Sequence, residues 1–187
     1  YAMMTMSCIA PFAYAFRSYT EPDGFTPPDQ APRLIDFNVC RDTEYGAAWQ
    51  ALIWTMQGNL RFPPLADSYV TTGISATYAE LIALCYPTPE HFALVKARSG
   101  DNPTGWAARS ALFYREPAAP ATDDAPVVQV TLPDIVFPFL SQGLLRLGES
   151  GRDGLALLDA SNWGGHHHRD SLNLYLWKDG HELLSDL

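Results

Sequence analysis

The chain is poor in positive charge. Twelve Lys and Arg stand against 21 Asp and Glu in 187 residues, a formal net charge of −9. That balance argues against nucleic acid as a partner, because phosphate binding needs a basic face. It also argues against a broad basic groove for an acidic polymer. Positive potential for such a substrate must be local, from a metal ion, histidines or a few arginines. Cysteine is scarce. Cys8, Cys40 and Cys85 show no CxxC spacing and lie far from the histidines, so each is expected as a buried free thiol in a helix. Long apolar runs are absent, and none reaches the length needed to span a membrane. Internal repeats are absent as well. The apolar fraction of 47% is ordinary for a globular protein. Punctuation is plentiful: 15 Pro and 13 Gly predict many loops and abrupt element ends.

The pattern along the chain changes once. Residues 2–19 are apolar nearly all round, which predicts a buried helix kinked or broken at Pro11. Pro22 to Pro32 reads as a loop, and Leu34 to Val39 as a short segment. Helices are expected over Thr43–Met56, with Tyr45, Trp49 and Ile53 on one side, and over Thr72–Tyr86, ending before Pro87. A shorter helix is expected over Pro89–Ala97, with Thr88 as a candidate N-cap, and another over Thr104–Tyr114. Residues 117–126, rich in Pro, Ala and Asp, read as a linker. After it come short runs split by Gly, Pro or Asp: Val127–Leu132, Ile135–Leu140, Gly143–Leu147, Gly154–Ala160, Ser171–Trp177 and His181–Leu184. These are strand signals, and Asp179-Gly180 suits a hairpin turn that needs positive φ. Helices first and strands second favour segregated α and β parts, an α+β, multidomain chain, over an alternating fold. The division expected is 1–116, 117–126 and 127–187. Tyr1 opens directly into an apolar helix and the chain closes just after a strand. It is therefore expected to be an internal piece of a longer protein.

Three of the five histidines are adjacent, His166 to His168. On an extended backbone, residues two apart point to one side. His166, His168 and Asp170 then share a face, with His167 and Arg169 on the other. Two imidazoles and a carboxylate on one face suit a metal or a proton-transfer site better than a core. Asp186 follows His168 by 186 − 168 = 18 residues, and a hairpin through Asp179-Gly180 would return it toward His168. A strand histidine bonded to a neighbour and a turn-capping aspartate are the plain alternatives for the two. Asp170 reads as a partner that fixes a histidine tautomer, or as a cap of the following strand. Asn162 and Trp163 read as the lining of a sugar subsite, the indole face stacking on a ring, with a core Trp as the alternative. Arg169 is a rim contact. Arg146 is expected to pair with a carboxylate, Asp67 to cap or close a loop, and Glu44 and Glu80 to be solvated.

The stretch from about Leu155 to Leu187 resembles the start of the β-domain in heparinase II/III-like polysaccharide lyases. That family carries a His-Gly-His-x-Asp segment, an apolar strand, an Asn/Asp-Gly turn and a second strand ending in a zinc-binding Asp. His166-x-His168-x-Asp170, Asp179-Gly180 and Asp186 match it, and His167 stands where the family usually has Gly. The resemblance implies the C-terminal part of an (α/α) toroid followed by the first strands of an antiparallel β-sandwich, with the active site between them. It implies zinc, with His168 and Asp186 as ligands and a third ligand, a histidine, beyond Leu187. It implies that His166 faces substrate for acid/base or charge-neutralising work, and that a tyrosine acts as base or acid. Tyr1 is the candidate for that tyrosine, ahead of Tyr14 and Tyr19, which fit a helix core better.

The function implied is β-elimination in a uronic-acid-containing glycan, by a periplasmic or secreted lyase whose partner is an acidic polysaccharide. Two other classes compete. A non-catalytic glycan-binding or structural protein would use zinc only as a staple. A zinc-dependent hydrolase would activate water at an open metal position, but no Glu stands within the histidine cluster to serve as water base.

Overall fold

The structure, a computed structural model, describes residues 2–65, 68–69, 71–99, 129–161 and 172–185. The chain forms two compact units, Tyr1–Gln50 with Ala76–Ala119 and Ala51–Ser75 with Pro120–Leu187. Among the described residues five α-helices precede a five-stranded antiparallel sheet, so the chain is mixed α+β. No described helix is long and apolar enough to cross a membrane.

The first unit holds α1 (Ala2–Ala15), α2 (Val39–Asp42), the first part of α3 (Tyr45–Trp54), α4 (Ala76–Cys85) and α5 (Pro89–Ser99). Helix α1 runs through Pro11 instead of breaking there, and Pro11 is exposed. Nor is α1 buried all round. Met6, Ala10 and Ala13 form a buried stripe at helical spacing, while Phe12 is 66% exposed. Helix α2 was not legible as a helix; Asn38 starts it. The Asn38 carboxamide oxygen accepts from Cys40 N–H at 2.9 Å and Arg41 N–H at 3.4 Å, as an N-cap does. Helix α4 starts later than expected, because Thr72 is used elsewhere: its carbonyl accepts from Phe62 N–H at 2.8 Å, and Gly73 bridges Arg61. Thr88 does cap α5, its hydroxyl accepting from His91 N–H at 3.2 Å, with Pro89 in the first helical turn.

Trp49 is fully buried in this unit, with Tyr45 edge-on at 6.2 Å and Tyr78 at 5.9 Å between ring centroids. The Tyr45 hydroxyl donates to Met6 C=O at 2.8 Å. Two expectations fail here. Glu80 is buried rather than solvated, because its position on α4 falls beside Ala79, Ile82 and Ala83 on the buried side. Cys40 and Cys85 are not free thiols. They form a disulfide between α2 and the end of α4, with Cα atoms 5.5 Å apart. Cys8 is free and exposed.

The second unit is a meander of β1 (Ile135–Phe137), β2 (Gln142–Leu147), β3 (Gly154–Asp159), β4 (Asn173–Lys178) and β5 (His181–Leu184), paired in that order. The strand expected over Val127–Leu132 is not formed over its described part. Val130 and Leu132 are buried, and Leu132 N–H donates to Ser150 C=O at 2.9 Å, but neither joins a strand among the described residues. Pro138 ends β1 and opens a 3₁₀ turn over Pro138–Leu140. One sheet face packs Leu144, Leu155, Leu157, Tyr175 and Trp177 together, with Leu65, Ile135 and Phe137 against them. The opposite face is aliphatic too: Val136, Leu145, Leu147, Leu158 and Leu174 are between 43% and 69% exposed.

Residues 51–75 belong with the strands for a visible reason. Arg146 on β2 donates to Met56 C=O at 2.6 Å and to Trp54 C=O, groups that follow or end α3 and lack helical partners. Arg152 donates twice to Gly58 C=O, at 2.8 and 2.9 Å. Among the described residues the Arg146 guanidinium thus satisfies carbonyls, with the Asp134 carboxylate near enough to attract it and accepting from the Arg146 backbone N–H.

Candidate functional site

The sheet defines where the histidine segment is attached. Asp159 and Asn173 are ladder partners, so residues 160–172 connect β3 to β4 from one rung. Asp159 turns the chain out of β3 by accepting from Ser161 N–H at 2.9 Å, and Ala160 N–H donates to Ser141 C=O at 2.9 Å. The Pro138–Leu140 turn between β1 and β2 lies at this same end of the sheet, because Gln142 pairs both Phe137 and Asp159.

Strands β4 and β5 form the hairpin that Asp179-Gly180 predicts. Asp179 has φ 46° and Gly180 φ 87°, the paired positive values of a tight primed turn. The ladder runs from Lys178↔His181 to Leu176↔Leu184, with a bulge between Leu176 and Trp177. Strand β5 thus heads back toward the end from which residues 160–172 emerge, and stops three residues short of Asn173. Tyr175 is buried in this hairpin and its hydroxyl donates to Glu182 at 3.3 Å. Burial, and then the Glu182 carboxylate, raise its pKa above the ordinary phenol value.

The seven expected site residues, Tyr1, Asn162, Trp163, His166, His168, Arg169 and Asp186, lie outside the described residues. So do His167, Asp170 and Asp67, the helix expected over Thr104–Tyr114 and the linker at 117–126. Among the described residues, no three His, Cys, Asp or Glu side chains converge as a metal site.

The described residues hold polar groups that sequence reasoning missed. His91 is buried in the first unit; its Nδ1 lies 2.7 Å from Tyr86 C=O and 2.9 Å from the Thr88 hydroxyl, and its Nε2 lies 3.3 Å from the Gln50 carboxamide oxygen. The Thr88-Pro-Glu-His91 spacing was the available signal, since a cap residue and the third helical residue face each other. The Tyr86 hydroxyl donates to Cys40 C=O, and burial pushes its pKa up to about 12, with Tyr45 nearby adding to the rise. Tyr45 is raised as well, by burial, against the smaller opposing effect of the Trp49 N–H. Burial lowers Arg146 to about 10, against the pull of Asp134. These shifts accompany packing and caps, and none gathers around a common point where a substrate would react.

Comparison with family models, with curated proteins and with solved structures finds no match.

Proposed function

We propose that this chain is part of a heparinase II/III-like polysaccharide lyase, with a toroid-derived helical part and the opening strands of a β-sandwich. The observation that carries the reading is the motif His166-x-His168-x-Asp170, apolar strand, Asp179-Gly180, strand, Asp186. The antiparallel hairpin of β4 and β5 supports it: the histidine segment leaves the sheet at the end toward which β5 runs. Asp186 is two residues beyond Leu184. The aliphatic second face of the sheet supports the sandwich, since a sheet covered on both sides needs apolar residues on both.

In this reading a base removes the C5 proton of a uronate. The electron pair forms the C4=C5 double bond, the C4–O bond breaks, and the leaving oxygen takes a proton. Tyr1 acts as base or acid and His166 as its partner or as the group that offsets the carboxylate charge. Trp163 and Asn162 line the sugar and Arg169 touches it at the rim. His168 and Asp186 supply imidazole and carboxylate, both ordinary zinc ligands, with a third protein ligand beyond Leu187. A bound zinc would contribute positive charge that this acidic chain otherwise lacks. The Cys40–Cys85 disulfide supports a periplasmic or secreted location, since such bonds persist in oxidising compartments.

The test is incubation of the full-length polypeptide with a panel of uronate polymers in the presence of zinc. An ultraviolet-absorbing unsaturated sugar end is expected, lost in His166→Ala and in Tyr1→Phe. No such product from any polymer overturns the reading; products carrying oxygen from labelled water at the cleaved bond would assign hydrolysis instead.

A further inference from the structure

The Cys40–Cys85 bond lies at a cleft of about 260 Å³ in the first unit. Both cysteines line it, with Ala10 and Ala13 of α1 and Leu81 and Leu84 of α4. The two cysteines are not equally covered. Cys40 is 7% exposed, whereas Cys85, the last residue of α4, is half-buried. The volume lies just under the usual range of small-molecule sites, about 300–1,000 Å³, and admits a thiol carried on a short chain. Thiol–disulfide exchange needs such access, because the attacking sulfur must reach one sulfur of the bond.

What the bond holds is unequal too. Helix α2 is a single turn of four residues and buries only Cys40. A helix that short does not persist without outside contacts. The disulfide and the bond from the Tyr86 hydroxyl to Cys40 C=O tie α2 to the end of α4, and both end on Cys40. One hydrogen bond does not offset the entropy of ordering four residues. The chain just before α2 is held separately, by the paired Tyr19 and Phe37 backbone bonds at 2.7 and 2.8 Å. Helix α4 keeps Ala79, Ile82 and Ala83 buried, so its place does not hang on the bridge. Opening the bond therefore releases α2 and leaves α4.

We propose that the Cys40–Cys85 bond is a redox latch, opened in the folded chain by a dithiol that enters the cleft and attacks Cys85. The attacking thiolate forms a mixed disulfide with Cys85 Sγ as the bond to Cys40 breaks. Cys40 leaves as a thiolate and takes a proton from water. The second thiol of the reductant then displaces Cys85, so the chain gains two electrons and two protons while the dithiol becomes a disulfide. The proposal does not rest on the lyase reading, since it uses only residues of the first unit.

Reduction of the oxidised chain by dithiothreitol tests it, with the exposed Cys8 first blocked by alkylation. Thiols released over time are counted by mass spectrometry. A bond reached only through global unfolding is reduced at least about a thousandfold more slowly than in the unfolded chain, at a rate that climbs with urea. Direct attack through the cleft is expected to proceed within about a hundredfold of the unfolded rate and to ignore urea below the unfolding transition. Glutathione, a monothiol, should be trapped first on Cys85. After reduction, far-ultraviolet circular dichroism should persist. Amides of α2 should then lose their protection from hydrogen exchange while those of α4 and α5 stay protected. A reduction rate that rises with urea below the transition, a first adduct on Cys40, an α2 still protected after reduction, or loss of the whole fold would each overturn the proposal.

Discussion

Removing the Cys40–Cys85 bond is the perturbation whose size follows most directly from the structure. The bridge spans 45 residues of sequence. In the chain-entropy account, closing a loop of that length removes roughly 13 cal/mol/K from the unfolded ensemble, or about 4 kcal/mol at 25 °C. The loop is long because it holds α3 and all of residues 51–75, so the unfolded chain loses much freedom when the sulfurs join. Native-state adjustment lowers the yield, and about 2–4 kcal/mol is the range such bonds deliver. For a chain of this size that is a fall in melting temperature of roughly 4–16 °C. Circular dichroism and tryptophan fluorescence on the oxidised protein and on Cys40→Ala/Cys85→Ala provide the comparison. Thiol counting supplies an independent check: one reactive thiol, Cys8, is expected in the native oxidised chain and three after reduction. Three reactive thiols in protein recovered from an oxidising compartment, or an unchanged melting temperature in the double variant, would refute the reasoning.

Two further predictions concern the same two units. The Tyr86 phenol titrates at about 12 in the folded chain, against an ordinary value of 10.0. The folded state then holds its proton where the unfolded state releases it. Stability from this group is complete below pH 10.0 and is lost as pH rises toward about 12. Alkaline unfolding followed by circular dichroism should show this slope, and Tyr86→Phe should flatten it while costing about 1 kcal/mol for the lost bond to Cys40 C=O. Gly151 has φ 70°, and a side chain there would come within 1.8 Å of Leu132 C=O. Gly151→Ala is expected to destabilise by roughly 2–3 kcal/mol in denaturant unfolding. Gly180→Ala, with similar φ but open space around it, should cost about 1 kcal/mol. Equal losses would show that contact with Leu132 contributes nothing.

Strands were easier to read than helices in this chain. Gly, Pro and Asp cut the second half into segments whose ends match β1 to β5 within a few residues, and Asp179-Gly180 marked the hairpin. The exception, Val127–Leu132, is instructive: Val130 and Leu132 are apolar because they are buried, not because they join a ladder. In the first half, composition misled. Residues 2–19 look core-like all round, yet α1 buries one stripe. Thr72 and Gly73 extend a helical pattern that the structure spends on pairing with residues 61–62. The disulfide was invisible because no local spacing marks a contact made over 45 residues. Glu80 was misread because a carboxylate carries no sign of which helix face it occupies. Of the expected lyase site, the attachment to the sheet is visible: residues 160–172 leave from the Asp159↔Asn173 rung. The side chains that would do the chemistry belong to stretches outside the described residues.

Arg146 and Arg152 have a consequence for how this chain can be divided or recombined. Their guanidinium groups find acceptors in Trp54, Met56 and Gly58, about ninety positions upstream. An excised piece keeping only residues 127–187 would leave two strand-side arginines facing lost carbonyls, next to a largely apolar sheet. The strands are therefore not a cassette that can be exchanged by cutting at the Pro- and Ala-rich stretch. Any transplant of the sheet into another scaffold must carry residues 51–75 with it, as a second inherited segment.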